Sequence, residues 1–136
     1  LYGKFSTMAL SLSKGRRIWI CIRRIEVQTM RDYFIKELYN LIDEFPNIIL
    51  ITGDLGFGVL DDFRSTFPNN FINAGVAEQN MTGIATGMAL EGKIVFTYSI
   101  ANFSTLRCLE QIRNDACYHG VNVNIVSIGG GFVLHL

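Results

Sequence analysis

The chain has 136 residues, 49% of them hydrophobic and 12% aromatic, with two prolines and no net charge. That is the size of one soluble domain with enough apolar surface for a core, which speaks against a disordered chain. Three cysteines without a CxxC pair, Cys21, Cys108 and Cys117, speak against a disulfide framework or a thiolate zinc site and fit small buried hydrophobes in a reduced, cytoplasmic setting.

The balanced charge is unevenly spread. Residues 1–29 carry Lys4, Lys14, Arg16, Arg17, Arg23 and Arg24 against Glu26 alone, whereas residues 30–136 are net acidic. The apolar run Ile18-Trp19-Ile20-Cys21-Ile22 is far too short to span a bilayer, and no small-residue cleavage pattern follows it. It also lacks a helical or a strand period. Residues 1–29 are therefore expected to be an extension outside the domain, foreign or disordered, with no membrane or nucleic-acid role.

Order becomes legible at Thr29, which is placed to cap a helix whose first turn contains Asp32. Phe34, Leu38, Leu41, Ile42 and Phe45 then form an apolar stripe at helical spacing, ended by Pro46. Asn47 to Thr52 is a continuous apolar run, expected for a strand buried on both faces of a parallel sheet. The loop Gly53-Asp54-Leu55-Gly56-Phe57-Gly58 leaves its carboxyl end. A short Asp61-Asp62-Phe63-Arg64 segment, the turn at Pro68 and a brief extended piece Phe71-Ile72-Asn73 come next.

A second helix is expected from Gly75 to Glu91, with Ala77, Met81, Ile84, Ala85 and Met88 on one face and Gly83 and Gly87 as a strip for close approach. Lys93 to Ser99 reads as a strand. Ser104 can cap a third helix carrying Leu106, Leu109, Ile112, Arg113, Ala116 and Cys117, and Val121 to Ile128 reads as a further strand. Alternating strands and helices imply an α/β fold, a parallel sheet with flanking helices. The domain is expected over residues 30–131, and Gly129-Gly130-Gly131 is a loop at a strand end with no helix after it, so residues 132–136 read as a truncated end.

The stretch richest in chemistry is Asn73-Ala74-Gly75-Val76-Ala77-Glu78-Gln79-Asn80-Met81. It puts a single carboxylate in the first turn of a helix among apolar and small residues, where the helix dipole favours its charge and desolvation opposes it. A glutamate at that position can equally do no more than stabilise the helix start. The Gly53-x-x-Gly56-x-Gly58 loop has inverted spacing relative to a dinucleotide fingerprint, and Asp54 would repel phosphate. His119 and His135 belong to no recognisable nucleophilic or metal constellation.

Gly75-Val76-Ala77-Glu78-Gln79-Asn80-Met81 resembles the G-[IV]-x-E-x-x-M/A pattern of transketolases and 1-deoxy-D-xylulose-5-phosphate synthases, which recurs in the beta chains of 2-oxo acid dehydrogenases. The likeness continues through the strand and loop at Ile48 to Leu55, the strand at Gly92 to Ser99, and Asn102-Phe103-Ser104-Thr105 before Glu110-Gln111-Ile112. Five elements in the right order are far more specific than seven residues.

The resemblance implies a thiamine diphosphate pyrimidine-binding domain. Glu78 would hydrogen-bond N1′ of the aminopyrimidine ring and so promote loss of the thiazolium C2 proton, giving the nucleophilic ylide. Phe103 would stack on the ring, with Tyr98 and Phe96 as alternatives should the alignment slip, and core packing open for all three. Asp54 and Leu55 would line the pocket near the boundary between subunits, or Asp54 would simply shape its turn. The Gly-Asp-Gly...Asn signature that holds Mg²⁺ and diphosphate in such enzymes has only a partial likeness in Gly53-Asp54, where Leu55 replaces the second glycine and Asn69-Asn70 follows too soon. No metal ligand is therefore assigned in this chain.

The resemblance then implies a diphosphate-binding transketolase N-terminal subunit as partner, supplying the Mg²⁺ site, in a dimer or heterotetramer. The reaction implied is transfer of a two-carbon ketol unit between sugar phosphates. A non-catalytic fragment or interaction domain that keeps the fold is the alternative.

Overall fold

The computed structural model describes residues 12–13, 16–17 and 30–129. Two short strands, β1 (Leu12–Ser13) and β2 (Arg16–Arg17), pair antiparallel with Leu12 opposite Arg17. The rest of the expected 1–29 extension, including the Thr29 cap and Cys21, lies outside the described residues, as do residues 130–136 with His135.

The remaining elements are α1 (Met30–Glu44), β3 (Ile48–Thr52), α2 (Asp61–Thr66), β4 (Phe71–Asn73), α3 (Glu78–Leu90), β5 (Ile94–Ile100), α4 (Ala101–Ser104), α5 (Leu109–Gln111) and β6 (Val123–Ile128). Four strands form one parallel sheet in the order β4-β3-β5-β6. Leu50 stands opposite Phe71 on one side and Phe96 on the other, which places the carboxyl ends of β3, β4 and β5 at the same edge of the sheet.

β3 explains the layering. All five of its residues are buried, because alternate side chains enter two different cores. Ile48 and Leu50 meet Ile35, Leu38 and Ile42 of α1, together with Leu60, Phe63 and Tyr98. Ile49 and Ile51 meet Met81 and Ala85 of α3 and Val95 of β5. The sheet is thus sandwiched between α1 with α2 on one face and α3 on the other.

The α1 stripe is rotated from the one expected. Ile35, Leu38 and Ile42 are buried, and Phe34 packs against them, whereas Leu41 and Phe45 stay exposed. Ile35, Leu38 and Ile42 repeat at the spacing of one helix face, and Leu41 lies one residue round from it.

Two further expectations are corrected. Among the described residues of this chain nothing approaches Gly83 or Gly87 closely: a Cβ on either would meet nothing within 4 Å. The packed face of α3 instead carries Glu78, Thr82 and Thr86, whose threonine hydroxyls donate to the carbonyls of Glu78 and Thr82 at 2.9 Å each. Ser104 does not cap a long helix. It closes α4, the chain bends at Thr105 (φ −114°, ψ −80°), and a 3₁₀ turn at Leu106–Cys108 leads through α5 into a π-helical stretch at Ile112–Cys117. That broken path leaves Leu106 and Leu109 exposed.

Candidate functional site

Loops following β3, β4 and β5 meet at the carboxyl edge of the sheet, the place where α/β folds present their ligand sites. The β3 loop is held in a demanding shape. Gly56 has φ +94°, and a Cβ there would lie 2.5 Å from Cδ1 of the buried Leu60. Asp54 is left-handed at φ 58°, the sole non-glycine residue with positive φ among those described.

Asn73 holds that conformation. Its Oδ1 accepts from the Asp54 amide at 3.1 Å and from the Gly75 amide at 2.9 Å, and its Nδ2 donates to Asp54 Oδ1 at 2.9 Å. One side chain at the end of β4 therefore clasps the β3 loop to the turn that launches α3. The Asn73 role was missed in the sequence, although an Asx residue two positions before a glycine turn is a usable signal.

Glu78 is the first residue of α3, and Ala77 before it makes no side-chain cap. Its carboxylate therefore provides the negative charge at the helix start. The residue is nonetheless only 2% exposed. Oε1 accepts from Ser99 Oγ at 3.3 Å, and Oε2 accepts from Arg107 Nη1 at 3.1 Å. Gly53 gives it room: a Cβ there would sit 3.4 Å from both Glu78 Cγ and Ser99 Oγ, so a larger side chain would enter the space around the carboxylate. A buried carboxylate with two donors is tolerable, whereas one stripped of them would be costly.

Arg107, half exposed at 45%, bridges to the next loop. Its Cζ lies 4.0 Å from the centroid of the Phe103 ring, and its carbonyl accepts from Gln79 Nε2 at 3.2 Å. A carboxylate acceptor and an aromatic face thus lie within the span of one guanidinium. Neither Ser99 nor Arg107 was singled out in the sequence. The available signals were faint: Ser99 as the polar end of a buried strand, and Arg107 as the first of two arginines between β5 and β6.

Among the sequence-predicted residues, the structure brings Glu78 and Phe103 together through Arg107. Tyr98 does not join them. Adjacent strand residues point to opposite faces, so with Ser99 facing Glu78, Tyr98 faces α1, where it is fully buried with Phe34 stacked 6.2 Å away. Phe96 lies on that same face, 5.9 Å from Phe34. Both are core aromatics. Leu55 packs against the α1-side core, and its carbonyl accepts from Thr52 Oγ1 at 2.9 Å. Asp54 is exposed at the same edge of the sheet.

Phe57, Val76 and Leu106 are exposed apolar residues, one on each of these three loops. Among the described residues no three His, Cys, Asp or Glu side chains gather to hold a metal, and no helix is long and apolar enough to cross a membrane. His119 is exposed and packs edge-on against Tyr118.

Residues 26–134 match the family model described as the transketolase pyrimidine binding domain. A putative transketolase C-terminal section from Methanocaldococcus jannaschii is 41% identical over 106 residues, covering 77% of this chain and 34% of that protein. An apulose-4-phosphate transketolase subunit from Phocaeicola vulgatus is 37% identical over 102 residues, covering 74% of this chain and 33% of its own length. A solved structure described as a split gene transketolase, inactive beta4 tetramer, superposes with a TM-score of 0.66 at 40% identity, covering 71% of this chain and 32% of that one. The chain spans about a third of the length of each of these relatives.

Proposed function

The chain belongs to the transketolase pyrimidine-binding domain family, and from that premise we propose that it supplies the aminopyrimidine half of a thiamine diphosphate site. The observation that carries the proposal is Glu78, a carboxylate at 2% exposure set at the carboxyl edge of the sheet beside an aromatic face. A flat heteroaromatic ring whose nitrogen shares a proton with a carboxylate needs that pair of features. The guanidinium of Arg107 supports the fit, since a planar group with N–H donors already lies between Glu78 and Phe103.

Glu78 would share a proton with a ring nitrogen, holding it at the carboxylate and yielding it to that nitrogen as the ring's electron distribution shifts. Ser99 holds the carboxylate through Oε1, so Oε2, now bonded to Arg107, would be the oxygen available to the ring. Gly53 keeps the adjoining space clear, and Phe103 stacks on the ring. Asp54 and Leu55 border the site from the loop that Asn73 clasps. When bound, the cofactor supplies the carbanion chemistry for moving a two-carbon ketol unit between sugar phosphates.

The diphosphate and Mg²⁺ are held by a separate diphosphate-binding subunit, in a dimer or heterotetramer in the cytoplasm. The exposed Phe57, Val76 and Leu106 around the loops suit a surface that such a subunit covers. Relatives described as an apulose-4-phosphate transketolase subunit and a split gene transketolase support the same arrangement.

Two measurements test the proposal. Titration calorimetry of the isolated chain with thiamine diphosphate and Mg²⁺ is expected to show weak or no binding; micromolar affinity would overturn the split site. In the complex reconstituted with the diphosphate-binding subunit, Glu78→Gln is expected to slow C2 proton exchange of bound cofactor by roughly 10²-fold or more. Equal exchange rates would remove Glu78 from the chemistry.

A further inference from the structure

We infer that Arg107 is a built-in stand-in for the pyrimidine ring, a latch that must swing away before the cofactor can seat. The inference rests on the assignment of Glu78 and Phe103 proposed above. Arg107 makes both contacts which that assignment reserves for the ring: Nη1 lies 3.1 Å from Glu78 Oε2, and Cζ lies 4.0 Å from the Phe103 centroid. A guanidinium is flat, delocalised and rich in N–H donors, and it stacks readily on aromatic faces. Like an aminopyrimidine, it is a flat, delocalised group that can stack on a ring while presenting nitrogen to a carboxylate.

Occupation is exclusive. The face of Phe103 that Arg107 covers cannot stack on a bound ring at the same time.

The latch has a reason to exist and a means of opening. With Glu78 only 2% exposed, an empty site without Arg107 would leave a buried carboxylate whose remaining partner is the Ser99 hydroxyl at 3.3 Å. Arg107 satisfies that charge until a ring takes its place and shares a proton with the carboxylate, so loading exchanges one partner for another. The Arg107 carbonyl is fixed by Gln79 Nε2 at 3.2 Å while its side chain is 45% exposed, so the side chain can turn into solvent without moving the backbone. Arg107 is 45% exposed, and solvent weakens both its pair with Glu78 and its cation–π contact, so the latch is expected to lower the site's affinity for the ring by only about 3- to 10-fold.

The test uses the full chain and the probe 4-amino-5-hydroxymethyl-2-methylpyrimidine, which has the ring without the diphosphate, followed by ligand-observed NMR titration. Arg107→Ala is expected to bind the probe about 3- to 10-fold more tightly than the wild type. Arg107→Lys keeps a charge beside Glu78 but loses the flat group over Phe103, and it is also expected to bind more tightly; it serves where the alanine variant is poorly folded. Glu78→Gln and Phe103→Leu are expected to bind more weakly than the wild type. Unchanged or weaker binding by the Arg107 variants, with weakening in Glu78→Gln and Phe103→Leu, overturns the latch and leaves the site assignment standing. Binding that ignores Glu78 and Phe103, or no binding by any variant, overturns the assignment and the latch with it.

Discussion

The two faces of the central sheet are cut from the same strands but built of different material. Under α1 the filling is large and aromatic: Phe34, Tyr39, Phe63, Phe67, Phe96 and Tyr98 pack around Ile35, Leu38, Ile42, Ile48 and Leu50. Under α3 it is aliphatic and partly polar: Thr82, Thr86, Thr97, Ser99 and Glu78 lie buried beside Ile49, Ile51, Met81, Ala85 and Val95. Tyr98 and Ser99 are neighbours in β5 and divide along this line, one into the aromatic core and the other onto the Glu78 carboxylate. The comparison teaches that stability and chemistry are separated by the pleat of a single strand. Each variant below is a way of breaking or sharpening that separation.

The largest effect on folding is expected from Phe63→Ala. Phe63 is fully buried, with Tyr39 and Phe67 rings 5.4 and 5.3 Å away. Its truncation should cost about 3–5 kcal/mol of stability, read by denaturant unfolding. A loss below about 1 kcal/mol would show that the α1 side is not the anchor of the domain.

Glu78→Gln should behave oppositely. The amide keeps the size and one hydrogen-bonding oxygen, so the unfolding free energy is expected to fall by at most about 1 kcal/mol while the reconstituted activity collapses. A large stability loss with full activity would move Glu78 from the chemical face to the structural one.

Gly87→Ala probes the outer side of α3. A Cβ there meets nothing within 4 Å, and the residue is inside a helix without positive φ. The substitution should stabilise the isolated chain by about 0.5–1 kcal/mol. If the reconstituted complex weakens at the same time, a partner approaches this strip.

The smallest effect is expected from Tyr98→Phe, because the buried Tyr98 hydroxyl meets no hydrogen-bond partner among the described residues. Stability should change by no more than about 1 kcal/mol near neutral pH, in the stabilising direction. Burial raises the Tyr98 phenol above its ordinary value of 10.0, with Arg31 opposing the rise and Asp32 adding to it. The unfolded chain therefore releases this proton at lower pH than the folded one, and stability should decline as the pH climbs past 10.0. In Tyr98→Phe that part of the decline should vanish. If thermal melts across alkaline pH give the same slope for both proteins, the phenol is not held in the core.

The parallel sheet was legible because its strands are continuous apolar runs with glycine or asparagine turns between them, and such runs have few other ways to satisfy their backbone. The start of α3 and its lone carboxylate were legible for a similarly local reason, a glycine turn leading into a helical pattern. The path after β5 was not. Leu106 and Leu109 repeat at helical spacing, yet the bend at Thr105 and the π-helical stretch turn them outward, and periodicity does not reveal a break imposed by packing.

By itself, the sequence determined the order of elements, the sheet class and the position of Glu78 at a helix start, since each follows from contacts a few residues apart. Only the tertiary structure decided which groups meet that carboxylate. Ser99 and Arg107 lie 21 and 29 residues from Glu78 along the chain, and Gly53 reaches it from the loop after β3. It also decided that Tyr98 belongs to the core. Which face of a buried strand a side chain takes is fixed by the register of the whole sheet, and an apolar run that is buried on both sides carries no internal mark of the difference.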